Sequence, residues 1–300
     1  MKKVPILVLA FNRPDHVVRS MEAIRTYQPE RLYLECDGAR TDKAGEDKAV
    51  AATRQAMIDA VDWPCEVFTL FRDKNLGCAE AVNDAITWFF EHEEYGIICE
   101  DDVVLGQDFF LLCEELLPRY KDQQQIMEIS ARNEASWKKE SNTYSYSQCY
   151  YCWGWATWRR AWCLMDMNME AITRRSPWYF VRRLGLIRGW MMYYYFKSGH
   201  RQLPNLSSWA TRWYLSILDN DGLVIIPGVN LSLNIGMNDG THYSNKYKDP
   251  FKGLQIGRIT WPIRHNETFK VHWSQTFIES LTFIKIRWYG FRRKLHLKIP

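Results

Sequence analysis

Residues 97–102 read Ile-Ile-Cys-Glu-Asp-Asp, an apolar strand that runs into three consecutive acids. Carboxylates held together repel one another, so such a tip is tolerable only where a cation or many hydrogen bonds offset the charge. A hard divalent ion, Mn²⁺ or Mg²⁺, is the economical answer, because it takes oxygen ligands and commonly shares its shell with phosphates. Two other expected strand ends carry polar groups, Asn12-Arg13 and Asp37. One cation and several carboxylates converging on a crevice suit a nucleoside diphosphate, with Asp37 on the base, Arg13 near base or phosphate, and Asp102 on the metal. Taken singly, Arg13 reads as a surface cation and Asp37 as a turn residue before Gly38. Their joint placement at strand ends makes them a candidate site.

The elements needed to hold those tips are legible. An apolar run over 4–11 has the continuous hydrophobicity of a parallel strand covered on both faces. Pro14 then stands at the first turn of a helix reaching Tyr27. Further strands are expected over 31–36, 65–71, 96–99 and 125–130, with helices over 46–60, 77–90 and after the acids. Strands alternating with helices imply an α/β, Rossmann-like, mostly parallel sheet with helices on both faces, whose ligands sit at the carboxyl ends of the strands. The rhythm breaks near residue 135. Residues 148–155 look strand-like, 157–165 and 206–218 helical, 223–226 a short strand, and 234–243 a Gly/Asn-rich loop. This divides the chain into a donor-binding half (1–135), an acceptor-side half (136–245) and a basic, aromatic tail (246–300).

Composition narrows the classes. The chain has 300 residues, 47% of them hydrophobic, which is ample for a core. A net charge of +4 is too mild for a general nucleic-acid binder. Of the eight cysteines only Cys149 and Cys152 have a C-x₂-C spacing, and no second pair completes a zinc set, so reduced thiols in a cytoplasmic protein are expected. No apolar run reaches membrane-spanning length. Residues 281–300 contain six Lys or Arg and no acid. On a helix, Phe277, Leu281, Ile284, Trp288, Phe291 and Leu295 form one stripe, the pattern of a segment lying on anionic lipid. Residues 284–288 also alternate like a strand packed on the body.

Phe-Asn-Arg at 11–13, Glu-Cys-Asp-Gly at 35–38, Glu-Asp-Asp-Val-Val-Leu-Gly-Gln-Asp-Phe-Phe at 100–110, Ser-Ala-Arg-Asn at 130–133 and Trp-Gly-Trp-Ala-Thr-Trp at 153–158 together resemble GT-A-fold glycosyltransferases. The likeness is to the N-acetylglucosaminyltransferase-I type and its bacterial relatives, over roughly residues 4–245. It implies a GT-A-like fold and a metal-dependent transfer of a hexosyl or N-acetylhexosaminyl group from a UDP-sugar to a glycan or lipid-linked saccharide. By that resemblance Asp102 is the metal ligand, and Glu100 and Asp101 face the ribose and donor-sugar hydroxyls. Trp153, Gly154 and Trp155 form the floor under the donor sugar, with core packing as the ordinary alternative for the tryptophans. His242, in a Gly-rich loop, is a hydrogen-bond donor to the diphosphate, a second metal ligand or a surface histidine. Trp209 and Arg212 fall on the acceptor side, where Arg212 either grips an acceptor phosphate or carboxylate or forms a surface salt bridge.

One departure matters. Ala210 stands where the family places the Asp that acts as catalytic base, and alanine accepts no proton. Asp101, Asp166, Asp219 and Asp239 are the substitutes in view, and a different stereochemical course is the other way out. A sugar nucleotidyltransferase is a rival class, but it calls for a Gly-rich loop after the first strand, and residues 11–15 contain no glycine. A donor-binding pseudoenzyme that scaffolds polysaccharide assembly is the non-enzymatic rival. An anionic membrane on the cytoplasmic side is the expected partner of the tail.

Overall fold

A computed structural model describes residues 2–134, 140–236 and 254–294. β1 (Ile6–Ala10) is buried throughout, and its side chains alternate between two cores. Ile6, Val8 and Ala10 face α1 (Pro14–Tyr27) and α4 (Gln107–Arg119), whereas Leu7 and Leu9 face α3 (Cys78–His92) and α9 (Trp209–Asp219). That period of two, with both faces apolar, requires helices on both sides of the sheet. β2 (Arg31–Cys36) pairs with β1 and with β3 (Glu66–Phe71), and β4 (Tyr95–Glu100) pairs with the other edge of β1, all in parallel. α2 (Glu46–Asp59) packs on α1.

The sheet crosses the boundary expected at residue 135. Its order is β3-β2-β1-β4-β8-β6-β9-β7, with β6 at Ile126–Ser130, β7 at Tyr144–Ser147, β8 at Trp155–Trp158 and β9 at Leu223–Pro227. β8, from the second half of the chain, lies antiparallel between β4 and β6 of the first. Only β7 and β8 run against the rest, so this is a mostly parallel, GT-A-like α/β sheet with helices on both faces. A second, two-stranded sheet joins β5 (Val103–Leu105), just beyond the acids, to β10 (Ser232–Asn234).

Three local expectations are revised. Strand character expected over 148–155 falls instead on 144–147 and 155–158, flanking a coil. The helix expected over 157–165 shrinks to α5 (Arg159–Trp162), because Thr157 and Trp158 are taken up in β8. The helix expected over 206–218 begins only at Trp209, as α9, and three helices precede it, α6 (Ala171–Arg174), α7 (Pro177–Leu184) and α8 (Leu186–Arg201). α9 starts at a side-chain cap, where Ser208 Oγ accepts from the Thr211 amide at 3.2 Å.

Residues 254–272 are bound to the body. The Asp108 carboxylate accepts from the Ile259 amide at 2.7 Å, Gly257 donates to the Asn230 carbonyl, and Ile259 and Ile263 are buried. α10 (Trp273–Lys294) follows, so the helical reading of 277–295 holds over the described residues and the strand reading fails. Its Glu279 is buried, accepting from Ser147 Oγ and Cys149 Sγ, each at 2.6 Å, and lying 3.5 Å from Arg188. All eight cysteines are free. Among the described residues no helix is long and apolar enough to cross a membrane.

The core on the α3–α9 side encloses an acid deep among its tryptophans. Glu128 of β6 is fully buried and accepts from Trp213 Nε1 at 2.9 Å, while its other oxygen has no partner. Burial pushes this carboxyl up to about 8, against the pull of the Trp213 bond. The unfolded chain gives up the proton near 4.5, so stability falls as pH rises from there to about 8 and the penalty is complete above it. Glu128→Gln keeps the acceptor and removes the proton. Thermal unfolding at pH 8.5 is expected to show the variant roughly 3–9 °C more stable, with the gap closing near pH 5. A gap independent of pH contradicts this.

Candidate active site

The carboxyl ends of β1, β2 and β4 share one edge of the sheet, and that edge gathers the polar residues. Leu9 of β1 is in register with Glu35 of β2 and Glu100 of β4, so these two acids flank it on the α3 face. Strand periodicity then sends the next residue, Asp101, to the opposite face. The three consecutive acids therefore diverge. Asp101 is buried and turned toward α1, where its backbone carbonyl accepts from Ser20 Oγ at 2.7 Å.

Arg13 supplies the counter-charge. Its guanidinium forks, reaching Asp101 Oδ1 at 2.6 Å and Asp102 Oδ2 at 3.0 Å. The Phe11 amide adds a second donor to the Asp101 carboxylate at 3.3 Å. Burial pushes the Asp101 carboxyl up to about 6, and Arg13 opposes the shift. The Arg13 pKa is raised, since the charges of Asp101 and Asp102 outweigh its own burial. Asp102 also accepts from Asn234 Nδ2 at 3.3 Å, and its carbonyl accepts from the Ile235 amide at 2.8 Å. Gly236 closes against this pair so tightly that a Cβ there would lie 2.3 Å from Asp102 Oδ2 and 2.9 Å from Arg13 Nη1.

Glu100 differs from its neighbours. It is half-buried, and among the described residues its carboxylate has no hydrogen-bond partner. Burial, with Asp102 and Asp101 adding to it, pushes this carboxyl up to about 8. The site thus pairs an engaged Asp101–Arg13–Asp102 triad with an unengaged acid. Among the described residues no group of three or more His, Cys, Asp and Glu side chains is arranged to hold a metal. Mg²⁺ and Mn²⁺ are commonly held by one or two carboxylates plus substrate phosphates, and Asp102 beside an unengaged Glu100 fits that kind of donor set.

The remaining expected site residues separate. Asp37 is buried and spends its carboxylate on the β3–α3 loop, accepting from the Leu76 and Gly77 amides at 3.0–3.1 Å, from Asn75 Nδ2 at 2.9 Å and from the Gly38 amide at 2.8 Å. Asn12 Nδ2 donates to Glu46 at 2.9 Å. Gly154 has φ +81°, and a Cβ would strike Leu105 at 2.4 Å, so its role is to let the 153–155 turn pack on β5. Trp153 is half-buried under the Arg132 guanidinium at 4.5 Å. Trp155, expected under a sugar, is wholly buried and stacks on Trp209 at 5.5 Å between Trp162 and Trp213, so both are core residues.

Arg212 is likewise no surface cation. It is buried and donates to the Met167, Leu206 and Ser208 carbonyls at 2.9–3.1 Å. Asp166 holds the Ala171 amide at the start of α6, and Asp219 pairs with Arg175 at 2.6 Å. Asp219 closes α9 just before β9, which runs parallel to β6, and so lies at the edge opposite the acids. Asp239 and His242 fall outside the described residues. Asn234, Gly236 and Asn75 were not singled out in the sequence. The Gly/Asn-rich stretch beginning at 234 was one available signal, while Asn75 is visible only through its bonds to Asp37 and Gly38.

No protein-family model matches the chain, and no curated protein sequence matches it either. Among solved structures, HddC from Yersinia pseudotuberculosis is similar over 52% of this chain and 77% of its own, at 10% identity and a TM-score of 0.32. The same protein complexed with GMP-PN gives 11% identity, 48% and 60% coverage and a TM-score of 0.30. A proposed glucose-1-phosphate thymidylyltransferase from Bacillus anthracis, in complex with sucrose, covers 65% of this chain and 83% of its own, at 10% identity and a TM-score of 0.31.

The Arg13 fork is open to a direct test. Arg13→Met should leave two buried carboxylates unpaired and cost about 2–4 kcal/mol, toward the low side for a buried pair because 30% of the Arg13 side chain is exposed. Adding Asp101→Asn should recover part of the loss. Urea unfolding that finds Arg13→Met as stable as the parent removes this role.

Proposed function

We propose that the chain is a metal-dependent transferase acting on a nucleoside-diphosphate sugar, most simply a UDP-sugar. It passes the hexosyl or N-acetylhexosaminyl group to a glycan or lipid-linked saccharide. The observation that carries the reading is the Asp101–Arg13–Asp102 triad at the carboxyl edge of the parallel strands, with Glu100 unengaged beside it. Arg13 is the natural partner of an incoming diphosphate, because its fork matches phosphate oxygens as well as carboxylates. Binding would then exchange an internal ion pair for a substrate one and release Asp102 toward a divalent ion. That ion, Mn²⁺ or Mg²⁺, supplies charge stabilisation for the departing nucleoside diphosphate.

In this reading Glu100 meets hydroxyls of the donor. Asp37 serves the base through the 75–77 loop that it holds. Ala210 leaves the base unassigned, and neither Asp166 nor Asp219 has a free carboxylate at this edge.

Sugar nucleotidyl transfer is the second reading, favoured by an acidic strand tip that would serve a nucleoside triphosphate equally well. Against it stands the β1–α1 turn, where Phe11, Asn12 and Arg13 offer no glycine-lined cradle for a triphosphate.

Reaction products decide between them. With Mn²⁺, a UDP-sugar and a panel of saccharide acceptors, UDP should be released; a nucleoside triphosphate with a sugar 1-phosphate should yield no pyrophosphate. The reverse result establishes the second reading. Asp102→Asn should remove metal-dependent UDP binding at least tenfold in calorimetry while the melting temperature holds or rises, because one of two facing carboxylates is neutralised. Undiminished metal-dependent affinity overturns the assignment of Asp102.

A further inference from the structure

Between Ala171 and Leu218 the chain carries eight Lys or Arg and no Asp or Glu. α10 adds Lys285, Arg287, Arg292, Arg293 and Lys294, and its single acid, Glu279, is turned inward on Arg188. The outer surfaces of these helices are also apolar. On α8, Leu186, Ile187, Met191, Tyr194 and Tyr195 are exposed, Leu186 at 61%, while Arg188, Met192 and Phe196 fill the inner face. On α10, Trp273, Phe277, Leu281 and Ile284 are exposed in steps of three and four, with Trp273 at 74%, while Gln275, Glu279 and Phe283 face the body.

The two stripes meet. Ser280 Oγ donates to the Leu184 carbonyl at 3.3 Å, and Arg188 approaches both Glu279 and the Phe283 ring, so Leu186 and Ile187 emerge at the seam where α10 lands on α8. Trp178 of α7, itself exposed, contacts Trp190 at 5.9 Å, and Trp190 stacks on Tyr194 at 6.1 Å, which extends the aromatic row. Arg182 lies one turn beyond Trp178, and Lys285 one turn beyond Leu281; both are exposed. Besides Arg188, which meets Glu279, Arg174 and Arg175 meet Asp219 and Arg183 meets Asp221, at the rim.

We propose that the outer face of α7, α8 and α10 is a docking surface for an anionic lipid bilayer. Exposed Trp, Tyr, Leu and Ile beside the exposed Arg182 and Lys285 match both layers of such a surface: rings and aliphatic chains enter the acyl boundary while the cations meet the headgroups. Nucleic acid would use the cations but gain nothing from Leu186, Ile187, Leu281 and Ile284. An acidic protein would call for a localised cluster of free cations, whereas Arg182 and Lys285 stand on separate helices and Arg183 is already held by Asp221. The rigid seating of α10 through Glu279 makes the face a preformed platform rather than a free amphipathic tail. The platform stands on its own observations and does not depend on the chemistry assigned to the acidic tip.

Flotation of the full chain with vesicles tests this. It should rise with vesicles containing about 30% phosphatidylglycerol, stay behind with phosphatidylcholine alone, and lose at least about tenfold in bound fraction between about 50 and 500 mM salt. Leu186→Glu with Ile187→Glu, and separately Phe277→Glu with Leu281→Glu, should each weaken vesicle binding about tenfold or more without changing the melting temperature or UDP binding. No binding of the intact chain at low salt overturns the proposal. So does undiminished binding by both variant pairs, or an RNA affinity that survives both pairs and exceeds that for anionic vesicles. UDP affinity is read separately by calorimetry, so a failed donor site and a failed platform give different results.

Discussion

The guanidinium of Arg13, set between Asp101 and Asp102, is the interaction on which the edge of this sheet depends. Two carboxylates on successive residues, one of them fully desolvated, cannot stay charged together without a neighbouring cation. The residue that provides it comes from the first turn of the chain, about ninety positions earlier. The contact therefore ties the end of β1 to the end of β4, and through Ser20 it also fixes the first helix to the same tip. Electrostatics sets the spacing of these strands at their exposed ends, where apolar packing no longer reaches.

The rest of the molecule is organised to keep that edge rigid. β8 enters the sheet from a distant part of the sequence and lies against β4, so the acids stand on an interior strand with neighbours on both sides. The small β5–β10 sheet then caps the tip, placing Asn234 and Gly236 on Asp102. A tryptophan cluster supports the same strands from below, and Glu128, bound to its Trp213, is tolerated there as a neutral carboxyl.

Much of this was legible, and the failures have a common cause. Apolar runs and their flanking turns located β1, β2, β4 and β6, which are buried along most of their length, as well as the half-exposed edge strand β3. The clustering of Arg13, Asp37 and the acids followed from topology alone, since parallel strands bring their carboxyl ends to one side. Sequence proximity placed Glu100, Asp101 and Asp102 at one tip, but not that Arg13 bridges the last two and leaves Glu100 outside the pair. Trp155, Trp209 and Arg212 looked available because their chemistry suits ligands; burial depends on the long-range insertion of β8 and the seating of α9, which no local pattern encodes. The reverse error occurred at the tail, where residues 254–272 carry no motif yet are held by backbone bonds to Asp108, Asn142 and Asn230.

The seating of Glu279 also has a temporal side. Arg188 is buried in a pocket with Cys149 and Tyr214, and its carboxylate partner lies about ninety residues further along the chain. At translation rates of roughly 5–20 residues per second, that interval is about 5–20 s. During it the guanidinium lacks that counter-ion, and the part of α8 that α10 covers stays open, although α7 and α9 already pack on its inner side. The sheet and its acidic edge can assemble as the chain emerges, but the outermost layer must wait for α10. Synthesis order thus separates the maturation of the two faces, and a nascent chain would acquire its acidic edge before its outer helical layer.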